Sequence, residues 1–280
     1  MSFKIDVPTV IQFSAGRSSG MMLKLVLEAN GGLPDCAIVC FENTGKERKE
    51  SLDFVQECSE RWSVPIIWLE YAGLSSSGEK LLSVVDYATA SRNGEPFMRL
   101  ILDRQYLPNP VARFCTVELK VRVVHRYLKS LGWTEWDSFV GLRSDEQRRV
   151  AKLRNQDYGT YETRHAPLAA AGVTKGDVGK FWQDQPFDLQ LPNNNGITMH
   201  GNCDLCFLKG GNQILSLVRE EPQQAVWWME AEKLGLASKP SGAVFRSDRP
   251  SYESMYRMAM DHGELFPFDD EGIECVGCTD

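Results

Sequence analysis

Two Cys-x2-Cys pairs, Cys203/Cys206 and Cys275/Cys278, and a lone Cys115 are the residues of this chain best suited to hold a metal. Two residues between cysteines form a turn that lets both thiolates reach one centre. Two such pairs supply four soft donors, a set that suits zinc or an iron–sulfur cluster. The same spacing at Cys275/Cys278 also serves thiol–disulfide exchange. Cys36, Cys40 and Cys58 lie among apolar residues, where free cysteine usually fills core.

A second group of residues could bind oxyanions. Ser14, Gly16, Arg17, Ser18 and Ser19 follow an apolar run at 9–13 and precede a helical pattern. A strand, tight loop and helix in that order aim backbone N–H groups and the positive end of a helix at an anion. The serine hydroxyls and the Arg17 guanidinium add donors, although Gly and Ser also favour an ordinary strand-to-helix turn. Asn43, Thr44, Gly45 and Glu47 follow the next apolar run; they suit ligand contact or simple helix capping. Gly141, Arg143, Asp145, Glu146 and Arg148 follow another, and planar guanidinium forks at Arg143 and Arg148 suit phosphate or sulfate.

These groups need a scaffold that collects strand ends. Apolar runs at 9–13, 36–41 and 66–70 alternate with helical patterns at 19–30 and 47–61. Nearly continuous apolar strands separated by amphipathic helices predict an α/β fold with a doubly wound, mostly parallel sheet. Such sheets bind ligands outside the carboxyl ends of their strands. A helix is predicted over 115–131 and a strand over 138–142; the strand at 66–70 leads into a Ser/Gly-rich loop, and residues 86–114 read as a long loop. Residues 1–156 are predicted to form the nucleotide-binding core. Residues 157–280 read as a cysteine-bearing elaboration packed on it, with helices near 211–220 and 222–235.

The 280 residues are 42% hydrophobic and 25% charged, values typical of a soluble globule. No apolar run reaches transmembrane length and the first residues lack the apolar core of a secretion signal, so a cytoplasmic location without membrane association is expected. In that compartment the eight cysteines are expected to serve metal or redox chemistry rather than a disulfide framework. The net charge of −7 does not favour broad attraction to nucleic acid, despite the basic crowding at Arg143, Arg148, Arg149, Lys152 and Arg154.

The motifs at residues 13–20, 42–47, 113–120, 141–149, 203–206 and 274–278, in that order, resemble the phosphoadenosine phosphosulfate (PAPS) reductase-like branch of the adenine-nucleotide α-hydrolase, or PP-loop, superfamily. The similarity is greatest to the branch common in phages and mobile elements, and covers residues 9–155 well. It implies a Rossmann-like fold and an adenine-nucleotide site for PAPS, adenosine phosphosulfate or ATP. That site would comprise Ser14, Gly16, Arg17, Ser18, Ser19, Asn43, Thr44, Gly45, Glu47, Lys120, Gly141, Arg143 and Arg148. Ala15, Arg17 and Ser18 depart from the family's Ser-Gly-Gly-Lys-Asp-Ser pattern.

The resemblance also implies a 4Fe–4S cluster, with zinc as the alternative. Cys115, Cys203 and Cys206 match three of the family's four cluster positions, and Phe114 occupies the fourth, which leaves Cys278 to complete the set. Glu274-Cys275 is similar to the reductase tail, which makes Cys275 the expected nucleophile on sulfur, with Arg143 and Asp145 beside the reacting group. Val276-Gly277-Cys278 departs from that tail. The activities implied are sulfonucleotide reduction first, drawing on a thiol or electron donor. ATP-dependent sulfur transfer to a nucleic acid or small molecule is the second, and a non-enzymatic nucleotide-binding module with structural zinc the third.

Overall fold

A computed structural model describes residues 2–155, 161–194, 197–198, 200–234 and 243–261. The apolar runs form β1 (Thr9–Gln12), β2 (Ala37–Glu42), β3 (Ile66–Leu74) and, two residues earlier than expected, β5 (Trp136–Val140). They belong to a six-stranded sheet in the order β4-β3-β2-β1-β5-β6. Every pairing is parallel except that of β3 with the edge strand β4 (Lys80–Val85). Ile11, Phe13, Val39, Phe41 and Trp68 pack on one face. Their neighbours Val10, Cys40 and Leu69 pack on the other. Because both faces are covered, each strand is apolar at successive positions rather than at alternate ones.

Helices α1 (Arg17–Asn30) and α2 (Lys49–Arg61) cover the first face through Met22, Leu23, Val26, Leu52, Phe54 and Val55. The second face is covered by α3 (Glu95–Arg104) and α5 (Arg122–Ser130), through Phe97, Leu100, Ile101, Val123, Val124 and Leu128. Helices α9 (Gly211–Glu220), α10 (Gln224–Lys233) and α11 (Tyr252–Met260) extend that same apolar cluster. The chain is therefore an α/β protein with a mostly parallel sheet wound on both sides, consistent with a Rossmann-like fold. Cys40 and Cys58 are fully buried core residues and Cys36 is half-buried, as their surroundings predict.

The structure corrects three local readings. The Ser/Gly-rich loop begins later than expected: β3 continues to Leu74, residues 75–79 form a turn in which Ser75 N donates to Glu79 O at 2.7 Å, and the chain returns as β4. The expected loop at 86–114 contains α3, which starts after Gly94 (φ 81°) with Pro96 in its first turn. The helix expected over 115–131 spans three pieces: α4 (Phe114–Thr116), a π-helical turn (Val117–Val121) and α5. That turn's extra residue per winding sets Glu118 inward, and such turns recur at functional sites.

Past the strand β5 come α6 (Gln147–Asn155) and β6 (Glu162–His165). The latter pairs in parallel with β5, so the sheet continues beyond residue 156. Glu162 fixes this edge: its buried carboxylate accepts from Ser138 Oγ at 2.6 Å, His125 Nε2 at 2.8 Å and Arg164 Nε at 2.9 Å. Two short helices follow, α7 (Pro167–Ala170) and α8 (Lys175–Gln183), then the strands β7 (Asn193–Asn194) and β8 (Ile197–Thr198). Trp182 of α8 donates to Arg17 O at 2.8 Å and lies over Gly20, where an added Cβ would stand 2.6 Å from the indole ring.

Gly141, just past β5, packs closely against the start of α1. A Cβ there would lie 3.0 Å from both N and Cα of Ser19, backbone atoms that cannot rotate away. Gly141→Ala is expected to cost about 1–3 kcal/mol by overpacking. Urea unfolding measures this, and an unchanged midpoint would refute the close packing of these two loops.

Candidate functional site

The loop after β1 is tied by one hydroxyl. Ser19 Oγ accepts from Ser14 N at 3.2 Å and from Gly16 N at 3.3 Å, and donates to Gly16 O at 2.9 Å. Ser14 Oγ lies 3.2 Å from the same atom. Ala15 adopts φ 61°, left-handed backbone that is costly for a residue with a Cβ. Strained backbone of this kind collects at functional sites. The loop thus turns sharply and presents the first N–H groups of α1 at the carboxyl edge of the sheet.

Arg17 faces away from the role its sequence position suggests. Its Nε donates to Asp188 Oδ1 at 2.8 Å, and Nη2 donates to Asp188 Oδ2 at 2.8 Å and to Leu189 O at 2.6 Å. Nη1 donates to Thr198 Oγ1 at 3.1 Å. With the guanidinium engaged on every nitrogen and 6% exposed, Arg17 anchors the segment after α8 instead of offering a fork to a phosphate. Nothing local signals this, because the partner carboxylate is 171 residues away.

Arg143 takes the position beside the loop. Its Nη1 donates to Ser18 Oγ at 2.9 Å and its Nε to Asp145 Oδ1 at 3.1 Å, while its backbone N donates to Glu146 at 2.8 Å. Both acids flanking it therefore orient it, and Asp145 also accepts from Lys175 N at 3.0 Å at the start of α8. Arg148 is exposed on α6, whereas Arg149 is buried against Glu146. Arg17, Ser18 and Arg143 share a cleft of about 10 Å³ with Lys175, Gly179 and Thr198, room for one water molecule.

The loop after β2 is built into a second network. Asn43 is fully buried, donating to Glu70 Oε1 at 2.6 Å and Ser91 O at 2.8 Å and accepting from Gly45 N at 3.1 Å. Gly45 (φ 75°) packs against Gly94, and a Cβ there would meet the Gly94 backbone at 3.0 Å. Glu47 caps Thr44, accepting from its N and its Oγ1 at 2.9 Å. Asn43 and Thr44 thus hold the loop's shape with the atoms that the sequence offers to a ligand.

The cysteine turn docks on this loop. Cys203 forms a backbone bridge with Glu47, and Asp204 N donates to Lys46 O at 2.8 Å. Thr44 Oγ1 is 3.6 Å from Cys203 Sγ. Asp204, between the two cysteines, pairs with Lys46 Nζ at 2.8 Å and accepts from Trp228 Nε1 at 2.8 Å. Lys46 and Asp204 are 7% and 9% exposed, so the pair is desolvated. The sequence pattern singled out neither residue, although both lie inside motifs that it did single out. Burial raises the Cys203 thiol well above its usual range, with the nearby Glu47 adding to the effect. Metal capture by such a thiol would release its proton.

Cys115 and Cys206, both half-buried, border the same apolar cluster that contains Cys203. Among the described residues, no three His, Cys, Asp or Glu side chains converge as a metal-holding group. Cys275 and Cys278 lie outside the described residues. Next to the cysteine turn opens the larger cavity, about 640 Å³, lined by Lys46, Glu47, Arg48, Arg92, Asp204 and Trp227 among others. The residues expected to line one pocket are therefore divided: Arg17, Ser18 and Arg143 face the small cleft, and Glu47 faces the large one.

Glu42, which the sequence pattern did not single out, ends β2 at 6% exposure, and its Oε1 has no hydrogen-bond partner among the described residues. Burial pushes this carboxyl up to about 8, against the opposing pull of Lys120 and Arg164. Lys120, half-buried in the π turn, thus acts on the same edge of the sheet as Glu42 and Cys203.

No protein-family model matches the chain. It is 28% identical over 226 residues to the uncharacterized nin region protein ORF290 of Escherichia phage lambda, an alignment covering 78% of this chain and 72% of that one. The relative places the sequence beside a phage protein and carries no activity with it. No helix among the described residues is long and apolar enough to cross a membrane.

Two outcomes test this geometry. Asp204→Ala strands the Lys46 ammonium in the interior and should cost about 3–5 kcal/mol in urea unfolding. A loss under about 0.5 kcal/mol, the usual size for surface substitutions, would show that the pair is solvated. Glu42 has a folded pKa raised from 4.5 to about 8, so its neutral form favours folding below pH 4.5 and that contribution is lost as pH rises towards 8. Glu42→Gln should therefore match the native chain in melting temperature below pH 4.5 and exceed it increasingly up to pH 8. A difference independent of pH would contradict the burial of an ionisable group there.

Proposed function

We propose that this chain is an adenine-nucleotide-binding enzyme of the PAPS reductase-like type, handling sulfur with a cysteine-held iron–sulfur cluster, and acting most nearly as a sulfonucleotide reductase. The observation that carries this reading is the docking of Cys203 on Glu47 and of Asp204 on Lys46. It sets a thiol pair at the carboxyl edge of the sheet, on the loop next to the one that presents the N-terminus of α1. An oxyanion-binding edge and soft sulfur donors at one end of a parallel sheet suit a nucleotide whose sulfur is to be reduced.

Cys203 and Cys206 suit a cluster by chemistry. They are soft donors on one turn, and Cys203 lies in apolar surroundings where a thiolate persists only if a metal compensates its charge. Cys115 and Cys278 would be the further ligands. When bound, a cluster supplies electron transfer or a site for sulfur. The chain's own contribution is to hold the nucleotide phosphate at Ser18, Ser19 and Arg143, and to keep Arg143 oriented through Asp145 and Glu146. Cys275 is the proposed nucleophile. ATP-dependent sulfur transfer is the second reading, and the packing of Phe114 favours it. The ring lies 6.3 Å from Tyr106 and 5.6 Å from the Arg104 guanidinium, so a non-cysteine side chain fills the family's fourth ligand position.

Anaerobic purification followed by iron, sulfide and zinc assays tests the proposal. A coloured protein with about four iron and four sulfide per chain, lost in Cys115→Ser, is expected. The melting temperature should rise with PAPS, adenosine phosphosulfate or ATP. A colourless protein holding zinc that survives Cys115→Ser, with no nucleotide raising the melting temperature, would overturn it.

A further inference from the structure

Away from the nucleotide loops, one buried carboxylate gathers an excess of positive charge. Glu118, in the π turn, is fully buried and accepts from Arg104 Nη2 at 2.5 Å, Arg122 Nη1 at 2.8 Å and Arg126 Nη2 at 3.3 Å, and also from Lys80 Nζ. The side chains of Arg104 and Arg122 remain 41% and 53% exposed, and those of Lys80 and Arg126 27% and 22%. Asp103, the other acid on this side of α3, is engaged by Tyr71 Oη at 2.7 Å. Arg99 adds an exposed guanidinium one turn earlier, donating to Ala72 O at 2.8 Å. A single carboxylate cannot balance four cations, and the rest of the chain brings the total to −7, so the imbalance is local.

The donors are only partly spent. Arg104 gives Glu118 one terminal nitrogen and Arg122 likewise one, which leaves the remaining N–H groups of each fork turned to solvent. The Nη1 atom of Arg126 is buried with no hydrogen-bond partner among the described residues. An oxyanion seated here would satisfy the exposed donors of Arg104 and Arg122 and offset the repulsion among the guanidinium groups.

Planar and apolar groups sit among the charges. The Arg104 guanidinium lies 5.6 Å from the Phe114 ring centre, and Tyr106 lies 6.3 Å from the same ring. Leu102 on α3, Leu81 on β4 and Val117 in the π turn beside Glu118 are 44%, 41% and 41% exposed. Cationic forks interleaved with rings and apolar side chains match a flexible phosphodiester chain whose bases are free to stack. A duplex hides its bases, and an acidic peptide has no use for the ring surface.

We propose that the surface formed by Lys80, Arg99, Arg104, Arg122 and Arg126 around Glu118 is a docking site for single-stranded nucleic acid. The proposal does not depend on the nucleotide chemistry proposed above.

Fluorescence anisotropy of a labelled short oligothymidylate, titrated with the full chain at increasing sodium chloride, tests it. Binding should weaken with salt. Arg104→Gln/Arg122→Gln should lower affinity about tenfold or more and reduce the log–log salt slope by about 1.4, the loss of two phosphate contacts on a single strand. Arg104→Lys/Arg122→Lys, which keeps charge and loses the forks, should fall between. Arg257→Gln, an exposed side chain on α11 and not part of the patch, should bind as the native chain does. Lys80 and Arg126 still compensate Glu118 in these variants, and an unchanged urea midpoint verifies that they fold. Absence of binding at low salt, or equal affinity for the double Gln variant, overturns the proposal. So does tighter binding of the matching duplex, or competition by polyglutamate as effective as that by unlabelled oligothymidylate.

Discussion

The Lys46–Asp204 ion pair is the interaction on which the arrangement of the site depends. Its two charges meet at 2.8 Å almost out of reach of water. Removing such charges from solvent is costly, and their attraction offsets the cost only where the remaining hydrogen-bonding capacity is also used. Here it is used: Asp204 Oδ1 accepts from Trp228 Nε1 and from Leu205 N, and the Lys46 ammonium lies 4.9 Å from the Trp227 ring. The pair therefore acts less as a source of net stability than as a register lock. The ammonium on the loop after β2 meets the buried Asp204 carboxylate, and meeting it sets the cysteine turn at the sheet's carboxyl edge.

Arg17 and Asp188 do the same on the other side of that edge. The guanidinium inside the β1 loop reaches back to the segment after α8, while Trp182 of α8 caps the backbone of the same arginine. Arg17, the charged side chain that looked most available to a ligand, and Lys46 in the next motif are thus both consumed in holding the later segments on the sheet. What remains at this edge is the backbone at the start of α1 and Arg143, whose Nη1 donates to Ser18 Oγ. Charge at a strand end marks a binding group only where no carboxylate from elsewhere in the chain has claimed it.

The strands of the parallel sheet were legible because burial on both faces leaves a continuous apolar signature, as in Val10-Ile11 and Val39-Cys40-Phe41. The motif loops were legible because small residues at strand ends are needed for sharp turns, as at Ala15 and Gly45. The edge strand β4 was hidden by exposure: Ser83 and Val84 face solvent, so no apolar run marks it. Helix α3 was hidden by the Gly94 and Pro96 that flank its start, which read as loop although they are a helix entry. The Asp188 partner of Arg17 and the Lys80 and Arg104 partners of Glu118 were illegible for a different cause. They come from other elements, and a single chain's pattern carries no trace of such pairing, whereas Glu118 and Arg122 have ordinary i,i+4 helical spacing.

The central claim is that the cysteine turn and the nucleotide loops belong to one site. Anaerobic alkylation of Cys206, followed by mass spectrometry with and without a nucleotide that raises the melting temperature, measures it most directly. Saturating nucleotide should change the labelling rate of Cys206, because on the proposed function the loop after β2 that carries the cysteine turn would also border the nucleotide. An identical rate at saturation would show that the thiols and the nucleotide are independent, and would contradict the account.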